Sequence, residues 1–217
     1  MATKHIKSLG GSKRLPDEFL WEAFRKGDKD SFSEIYYAHI EGLFKYGMSF
    51  AQDSFLIKES IQELFVDLWS RRESLGTTDN IRFYLLRALR RRISHHYKDK
   101  KRWELITEDR FNLPSFLGRR AADQPDESED ADQVIARKLL GALLKLPTRQ
   151  KEALYHIYYE NLSYEEVAAL MNVNIKTVYN LSWRGIETLR KSLSKSKLFS
   201  FTPVHILMAL DAMESFQ

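Results

Sequence analysis

Residues 59–102 join two surfaces that an ordinary core helix does not carry together, and they constrain the fold more than any other stretch. In the first half, Ile61, Leu64, Phe65, Leu68 and Trp69 recur at the spacing of one stripe on an α-helix, with Gln62, Glu63, Asp67 and Arg71 along the other side. After a break over 74–80, apolar positions return at Phe83, Leu86, Leu89 and Ile93. Now they are surrounded by Arg82, Arg87, Arg90, Arg91, Arg92, Lys98, Lys100, Lys101 and Arg102, with Asp99 the lone acid. A helix with one buried stripe and cations over the rest of its girth suits a polyanion. Phe83, Tyr84, His95, His96 and Tyr97 add rings on which exposed bases can stack. The partner this pattern fits is nucleic acid with its strands apart.

The remaining composition narrows the classes. In 217 residues, 43% hydrophobic and 12% aromatic content suffices for one large or two small packed domains. The net charge of +4 hides an asymmetry, because acids crowd into 123–132 while bases cluster on either side. The absence of cysteine excludes disulfides and thiolate metal sites and fits a reducing compartment. The apolar run at 198–210 is too short to span a bilayer and is broken by Pro203, so a soluble, cytoplasmic protein without membrane insertion is expected. His95 and His96 are adjacent and point about 100° apart on a helix, so they do not chelate one metal, and no acid cluster completes a site. The sequence thus predicts no catalytic centre, no metal and no cofactor.

In chain order, 1–14 reads as a loose tail. A helix enters at Pro16, Asp17 and Glu18, buries Phe19, Leu20, Ala23 and Phe24, and stops at Gly27. Ser31 and Glu34 read as a capping box for a second helix whose inner side is Phe32, Ile35, Tyr36, His39, Leu43 and Tyr46. His39 is taken as a satisfied core histidine, since no second ligand lies at helical spacing from it. The aromatic helix is expected over 61–72 and the basic helix over 82–97, with a small polar loop at 74–80. Between 103 and 132 the periodicity dissolves, and the acidic run reads as a solvated tether; the sharper alternative is that its carboxylates imitate phosphates and cover the basic helices.

A second unit starts near 133 with Val134, Ile135, Leu139, Leu140, Leu143 and Leu144 on one stripe, closed by Pro147. A helix over 148–159 points Ala153, Leu154, Ile157 and Tyr158 inward. Ser163 and Glu166 form a capping box opening a short helix with Val167, Ala168 and Leu170 inside, Asn172 and Val173 make a tight turn, and Asn174 caps a long helix burying Val178, Leu181, Ile186 and Leu189. Short helix, tight turn and long helix is the helix-turn-helix pattern, whose second helix enters the major groove. The outward residues Lys176, Thr177, Tyr179, Asn180, Trp183 and Arg184 suit base edges and phosphates. The expected fold is all-α. Two small helical domains, 15–102 and 133–196, are joined by a flexible acidic linker at 103–132. An apolar tail at 197–217 packs on the second domain or binds a partner.

This arrangement resembles the bacterial sigma factors of the extracytoplasmic-function type, in the sigma-70 family. The resemblance spans residues 30 to about 193 and rests on Asp30-Ser31-Phe32-Ser33-Glu34-Ile35-Tyr36, Gln62-Glu63-Leu64-Phe65-Val66-Asp67-Leu68-Trp69, Leu146-Pro147-Thr148-Arg149-Gln150, Leu162-Ser163-Tyr164-Glu165-Glu166-Val167-Ala168 and Lys176-Thr177-Val178-Tyr179-Asn180. It implies a factor that binds core RNA polymerase, through the clamp helices of the largest subunit and the beta flap, and directs promoter-specific initiation. In that reading Gln62, Glu63, Phe65, Asp67, Leu68 and Trp69 bind the polymerase. Asn80, Arg82, Tyr84, Arg87, Arg90, Arg91, His95 and Tyr97 capture the melted minus-ten strand, and Arg149, Lys176, Thr177, Tyr179, Asn180, Trp183 and Arg184 read the minus-35 duplex. It also implies an anti-sigma factor as a partner. The chain departs from the family at Arg91, where Asn is common. The rival reading is a helix-turn-helix regulator that works without polymerase.

Overall fold

The computed structural model describes residues 16–51, 53–96, 111 and 131–194, the last stretch with side chains at 138–192. Its elements follow from local caps. Pro16 precedes α1, Asp17–Arg25, and Gly27 at φ +92° ends it in a conformation that glycine adopts without strain. Asp28, rather than the Ser31/Glu34 box, starts α2, Lys29–Met48: its carboxylate accepts from the backbone N–H of Asp30 and Ser31. The third helix likewise begins earlier than expected. Asp53 accepts from the N–H of Phe55 and Leu56, so α3 runs Ser54–Ser70, a full two turns upstream of its apolar stripe. The basic helix α4, Ile81–His96, is capped twice: Asn80 Oδ1 accepts from Phe83 N and Asp17 Oδ2 from Ile81 N. Placing Asp17 at that N-terminus also suits the helix dipole.

These four helices pack around Leu20, Trp21, Phe24, Ile35, Leu43, Ile57, Leu64, Leu85 and Leu89. Phe19, expected inside, is 64% exposed, and Trp21 takes its place at 0%. The helix turns Trp21 inward, where the ring meets Phe24 and Tyr84 and its Nε1 donates to the Gly76 carbonyl at 2.8 Å, tying the 74–80 loop to the core. Gly47 sets the closeness of α2 and α3, since a Cβ there would lie 2.6 Å from Ile57 Cγ2.

The second unit comprises α5, Ala131–Leu144; α6, Thr148–Leu154, continuing into a π-turn at Tyr155–Tyr159; α7, Tyr164–Met171; and α8, Ile175–Ser194. The π-turn corrects one expectation. Glu160 N donates to Tyr155 O at 3.1 Å, an i→i+5 bond that adds a residue to the helical register. Tyr155 and His156 are therefore buried, while Ile157 and Tyr158 are only half-buried. All eight α-helices belong to an all-α fold, with no strand among the described residues. Phe111, within the stretch expected to be a tether, is buried against Phe50, Tyr155 and His156, at the seam where the two units meet. The acidic run at 123–130, Tyr97, and the two tails lie outside the described residues.

Candidate nucleic-acid interface and the adjoining groove

The helix-turn-helix forms as its sequence dictates. Ser163 Oγ accepts from Glu166 N while the Glu166 carboxylate accepts from Ser163 N at 2.8 Å, satisfying two free N–H groups at the α7 entrance. Asn172 closes α7 in the left-handed conformation, φ 54° and ψ 48°, which asparagine tolerates better than most residues. Asn174 Oδ1 then accepts from Thr177 N at 2.8 Å to open α8. Gly185 seats α8 on α6, because a Cβ would stand 2.9 Å from Leu154 Cδ1.

Val178 and Leu189 anchor α8 inside, leaving two outward stripes at four-residue spacing. Lys176, Asn180 and Arg184 form the polar one, all exposed. Ile175, Tyr179 and Trp183 form an apolar one, with Tyr179 49% and Trp183 66% exposed. Tyr179 is held by Tyr164, stacked at 4.2 Å. Thr177 spends its hydroxyl on the Asn174 cap, at 2.9 Å, and Arg149 lies on α6 with Nη1 3.6 Å from Glu152.

On α4 the cations divide by helix face. Arg87, Arg91 and His95, four residues apart, are exposed on one stripe. Arg92 pairs with Glu63 at 3.3 Å and with Asp67, so two acids expected on the free edge of α3 brace α3 against α4. Arg82 and Arg90 point at the second unit. Arg82 bonds Glu160, and Arg90 Nη1 bonds Glu152 Oε1 at 2.7 Å and sits over the Phe50 ring at 4.8 Å. Asn80 Nδ2 donates to Glu166 Oε1 at 2.8 Å. Burial works against the Arg90 charge, yet Glu152 beside it holds the guanidinium protonated beyond its ordinary range. Burial also raises the Tyr46 phenol and, with Arg90 nearby, keeps His156 well below the usual imidazole range. Tyr84 is half-buried against Trp21.

Between α2 and α3 an apolar groove of about 790 Å³ opens to solvent. Phe32, Tyr36, Ile40 and Phe44 form one wall and Ile61, Phe65 and Trp69 the other; Gln62, Lys58 and Ser70 lie on the rim with Val66, which is 59% exposed. Its rings interlock, Phe32 with Trp69 at 5.0 Å and Tyr36 with Phe65 at 4.9 Å, and Arg72 lies 4.7 Å over Trp69. Leu68 instead faces the core.

Comparison with known proteins now bears on the whole. A model of the family described as Sigma-70, region 4, matches residues 136–189, from within α5 to within α8. Over 160 residues the chain is 22% identical to the ECF RNA polymerase sigma factor SigM of Bacillus subtilis (strain 168), covering 74% of this chain and 93% of that protein. Residues 136–189 thus match the sigma-70 region 4 family, and the chain as a whole is similar to an extracytoplasmic-function sigma factor. The fold is similar to that of CnrH in complex with the cytosolic domain of CnrY, which superposes with a TM-score of 0.50 at 18% identity, covering 84% of this chain and 99% of that one. The sigma factor RpoE, in complex with the anti-sigma factor NepR from Bartonella quintana, gives 0.47 at 20% identity, covering 77% and 98%.

Most of the expected residues lie on three surfaces, the groove, α4 and α8; Leu68 in the core, Glu63 and Asp67 against α4, and Arg149 on α6 stand apart from them. The sequence did not disclose Glu152, Glu160 and Glu166 as partners of α4. Their only signal is a carboxylate placed among apolar neighbours, as Glu152 is beside Ala153 and Leu154. No helix of the described residues is long and apolar enough to cross a membrane.

Proposed function

We propose that this chain recruits core RNA polymerase to specific promoters through a division of labour among those three surfaces. The groove between α2 and α3, with Gln62 and Val66 on its rim and Trp69 in its wall, docks on the clamp helices of the largest polymerase subunit. The cationic α4, with the 74–80 loop, captures the separated non-template strand of the minus-ten element, and α8 reads the minus-35 element as duplex, with the beta flap as the support of the second unit. The observation that carries this reading is that groove and cationic helix share α3: Arg92 on α4 is bound to Glu63 and Asp67 on α3, whose other side forms the groove wall. Polymerase and strand would thus be held in fixed relation.

Strand opening then needs no nucleophile and no metal. Each base stacked on protein contributes on the order of 1–3 kcal/mol, against a comparable cost of unstacking it. Two or three captured bases, with counterion release at Arg87 and Arg91, tip the balance, and binding falls with salt. A protein that covers the groove would silence the factor, which is the place we assign to an anti-sigma partner.

The test is run-off transcription with sigma-free core polymerase and a promoter library. Start-site selection by the purified chain is expected; shifting of a duplex without any binding to core would instead identify a polymerase-independent regulator. Val66→Asp with Gln62→Ala changes the groove rim and spares the interlocked rings of its wall. It should abolish capture of core polymerase, and retained capture by the folded double variant refutes the docking surface.

A further inference from the structure

One turn of α1 reaches three parts of the strand-capture surface at once, although α1 carries none of the residues assigned above to DNA or polymerase. Trp21 Nε1 donates to the Gly76 carbonyl at 2.8 Å, and the Trp21 ring lies 4.9 Å from that of Tyr84. Asp17, four residues earlier and so on the same side of the helix, accepts at 2.9 Å from Ile81 N, the first N–H of α4. The 74–80 loop makes its own bonds toward its far end. There the Thr78 hydroxyl accepts from Asn80 N and donates to the Asn80 carbonyl, both at 3.2 Å, and Asn80 Oδ1 accepts from Phe83 N at 2.9 Å. The near half takes its place from Leu75, packed against the core, and from Trp21. Trp21 is fully buried and so touches no strand itself, whereas Gly76, Thr77 and Asp79 are exposed.

We propose that Trp21 and Asp17 are positioning residues for strand capture: by fixing the 74–80 loop, the start of α4 and the Tyr84 ring, they set which base of the minus-ten strand the loop accepts. This rests on the strand-capture reading and adds to it the source of base choice. Affinity for a single strand comes from cations and stacking rings, and it is tolerant of sequence because every nucleotide brings a phosphate and a π-face. Choice among bases is a stricter task. Polar groups must stand at fixed places, held by neighbours that are themselves locked by packing. A hydrogen bond from a buried indole is such a lock, and its two ends lie 55 residues apart in the chain, so the loop does not carry it in its own sequence. With the hold of α1 released, Arg87 and Arg91 stay exposed on α4 and still attract the strand, but its bases are told apart less well.

The experiment is run-off transcription with core polymerase on a promoter library randomised at both elements, comparing the full wild-type chain with Trp21→Phe, Asp17→Ala and Asp17→Asn. Trp21→Phe keeps a ring beside Phe24 and Tyr84 and removes the donor to Gly76. It and Asp17→Ala should lower the preference for the favoured base at a minus-ten position by about tenfold, the discrimination that one well-placed polar contact provides. Preference at the minus-35 element and capture of core polymerase should stay at the wild-type level. Asp17→Asn keeps an oxygen acceptor for Ile81 N and should retain the wild-type preference. Unchanged minus-ten preference in Trp21→Phe overturns the proposal, as does an equal loss at both elements, which would mean general loosening of the fold. Should Trp21→Phe not fold, the half-buried Asp17 decides alone: loss with Ala and rescue by Asn support positioning, and any other result for that pair refutes it. A wild-type chain that initiates without any minus-ten preference removes the strand-capture reading itself, and the role of α1 with it.

Discussion

The two helices offered to DNA, α4 and α8, carry similar cations and meet opposite fates. On α8 the polar stripe Lys176, Asn180 and Arg184 stands open, and its one close acid, Glu187, pairs along the helix with Arg190 at 2.5 Å. On α4, Arg82, Arg90 and Arg92 are all bound to acids from other elements, and among the described residues of the expected set Arg87, Arg91 and His95 alone remain exposed. The count of basic residues therefore does not tell which helix is ready to bind. What decides is the chemistry of the element packed alongside: acids of α6, the π-turn and α7 engage Arg90, Arg82 and Asn80 at α4, and none of them reaches the polar stripe of α8.

The largest expected effect tests whether the α4 contact differs in kind from a surface pair. Glu152→Ala leaves Arg90 buried beside Tyr46 and Phe50 without its carboxylate, and breaking one partner of a buried pair costs about 3–5 kcal/mol. Urea denaturation should show that loss. A change below about 1 kcal/mol would place Arg90 among ordinary exposed pairs and remove the contrast with α8.

Next comes the open face itself. Arg184→Ala should cost about 1–3 kcal/mol of binding at a single promoter position and relax preference there, as expected for a side chain reaching a base edge. A saturation library of minus-35 sequences reads this directly. Uniform weakening over all sequences would assign Arg184 to phosphate, leaving Lys176 and Asn180 to carry the reading.

Acid should separate the two surfaces without any mutation. His156 sits where α2, α4 and α6 meet, facing Tyr46, Arg90, its own neighbour Tyr155, and Glu152 with Oε1 3.9 Å away. Glu152 is committed to Arg90, so burial and the guanidinium prevail and the imidazole stays neutral. Its proton affinity is lower in the packed state than in the open one, so stability is complete above about pH 6.5 and declines below it, by at most about 1.4 kcal/mol per pH unit for one group. A melting temperature that drops on acidification in the wild-type chain, and less so in His156→Gln, is the expected outcome. Equal slopes would refute the role of His156.

These cases show why the fold was more legible than the site. Spacing at Ile61, Leu64 and Leu68, the Ser163/Glu166 box and the Asn174 cap are local, and local signals fix helices and the helix-turn-helix directly. Phe19 and Trp21 exchange places because two residues near a helix start lie on different faces, and only the packed loop at Gly76, 55 residues away, chooses between them. The π-turn is subtler still. No residue in Tyr-His-Ile-Tyr-Tyr announces it, yet it moves His156 into the seam. The linker acids lie outside the described residues. The acids of the second unit that meet α4 and its cap are Glu152, Glu160 and Glu166, each more than 60 residues from its partner in the chain, a separation that no periodicity records.

The smallest effect closes the contrast from the other side. Glu187 and Arg190 pair on α8 with 28% and 55% of their side-chain surface exposed, and water screens most of what the pair gains. Glu187→Ala should shift stability by only about 0.3–0.5 kcal/mol, near the limit of a denaturation curve. Because the same variant frees Arg190 at the outer end of α8, minus-35 affinity should rise slightly at low salt and return to the wild-type value as salt increases. If removal of this one acid strengthened duplex binding by about tenfold or more, and salt did not abolish the gain, the cations of α8 would be as firmly engaged as those of α4, and the distinction between the two helices would have to be drawn elsewhere.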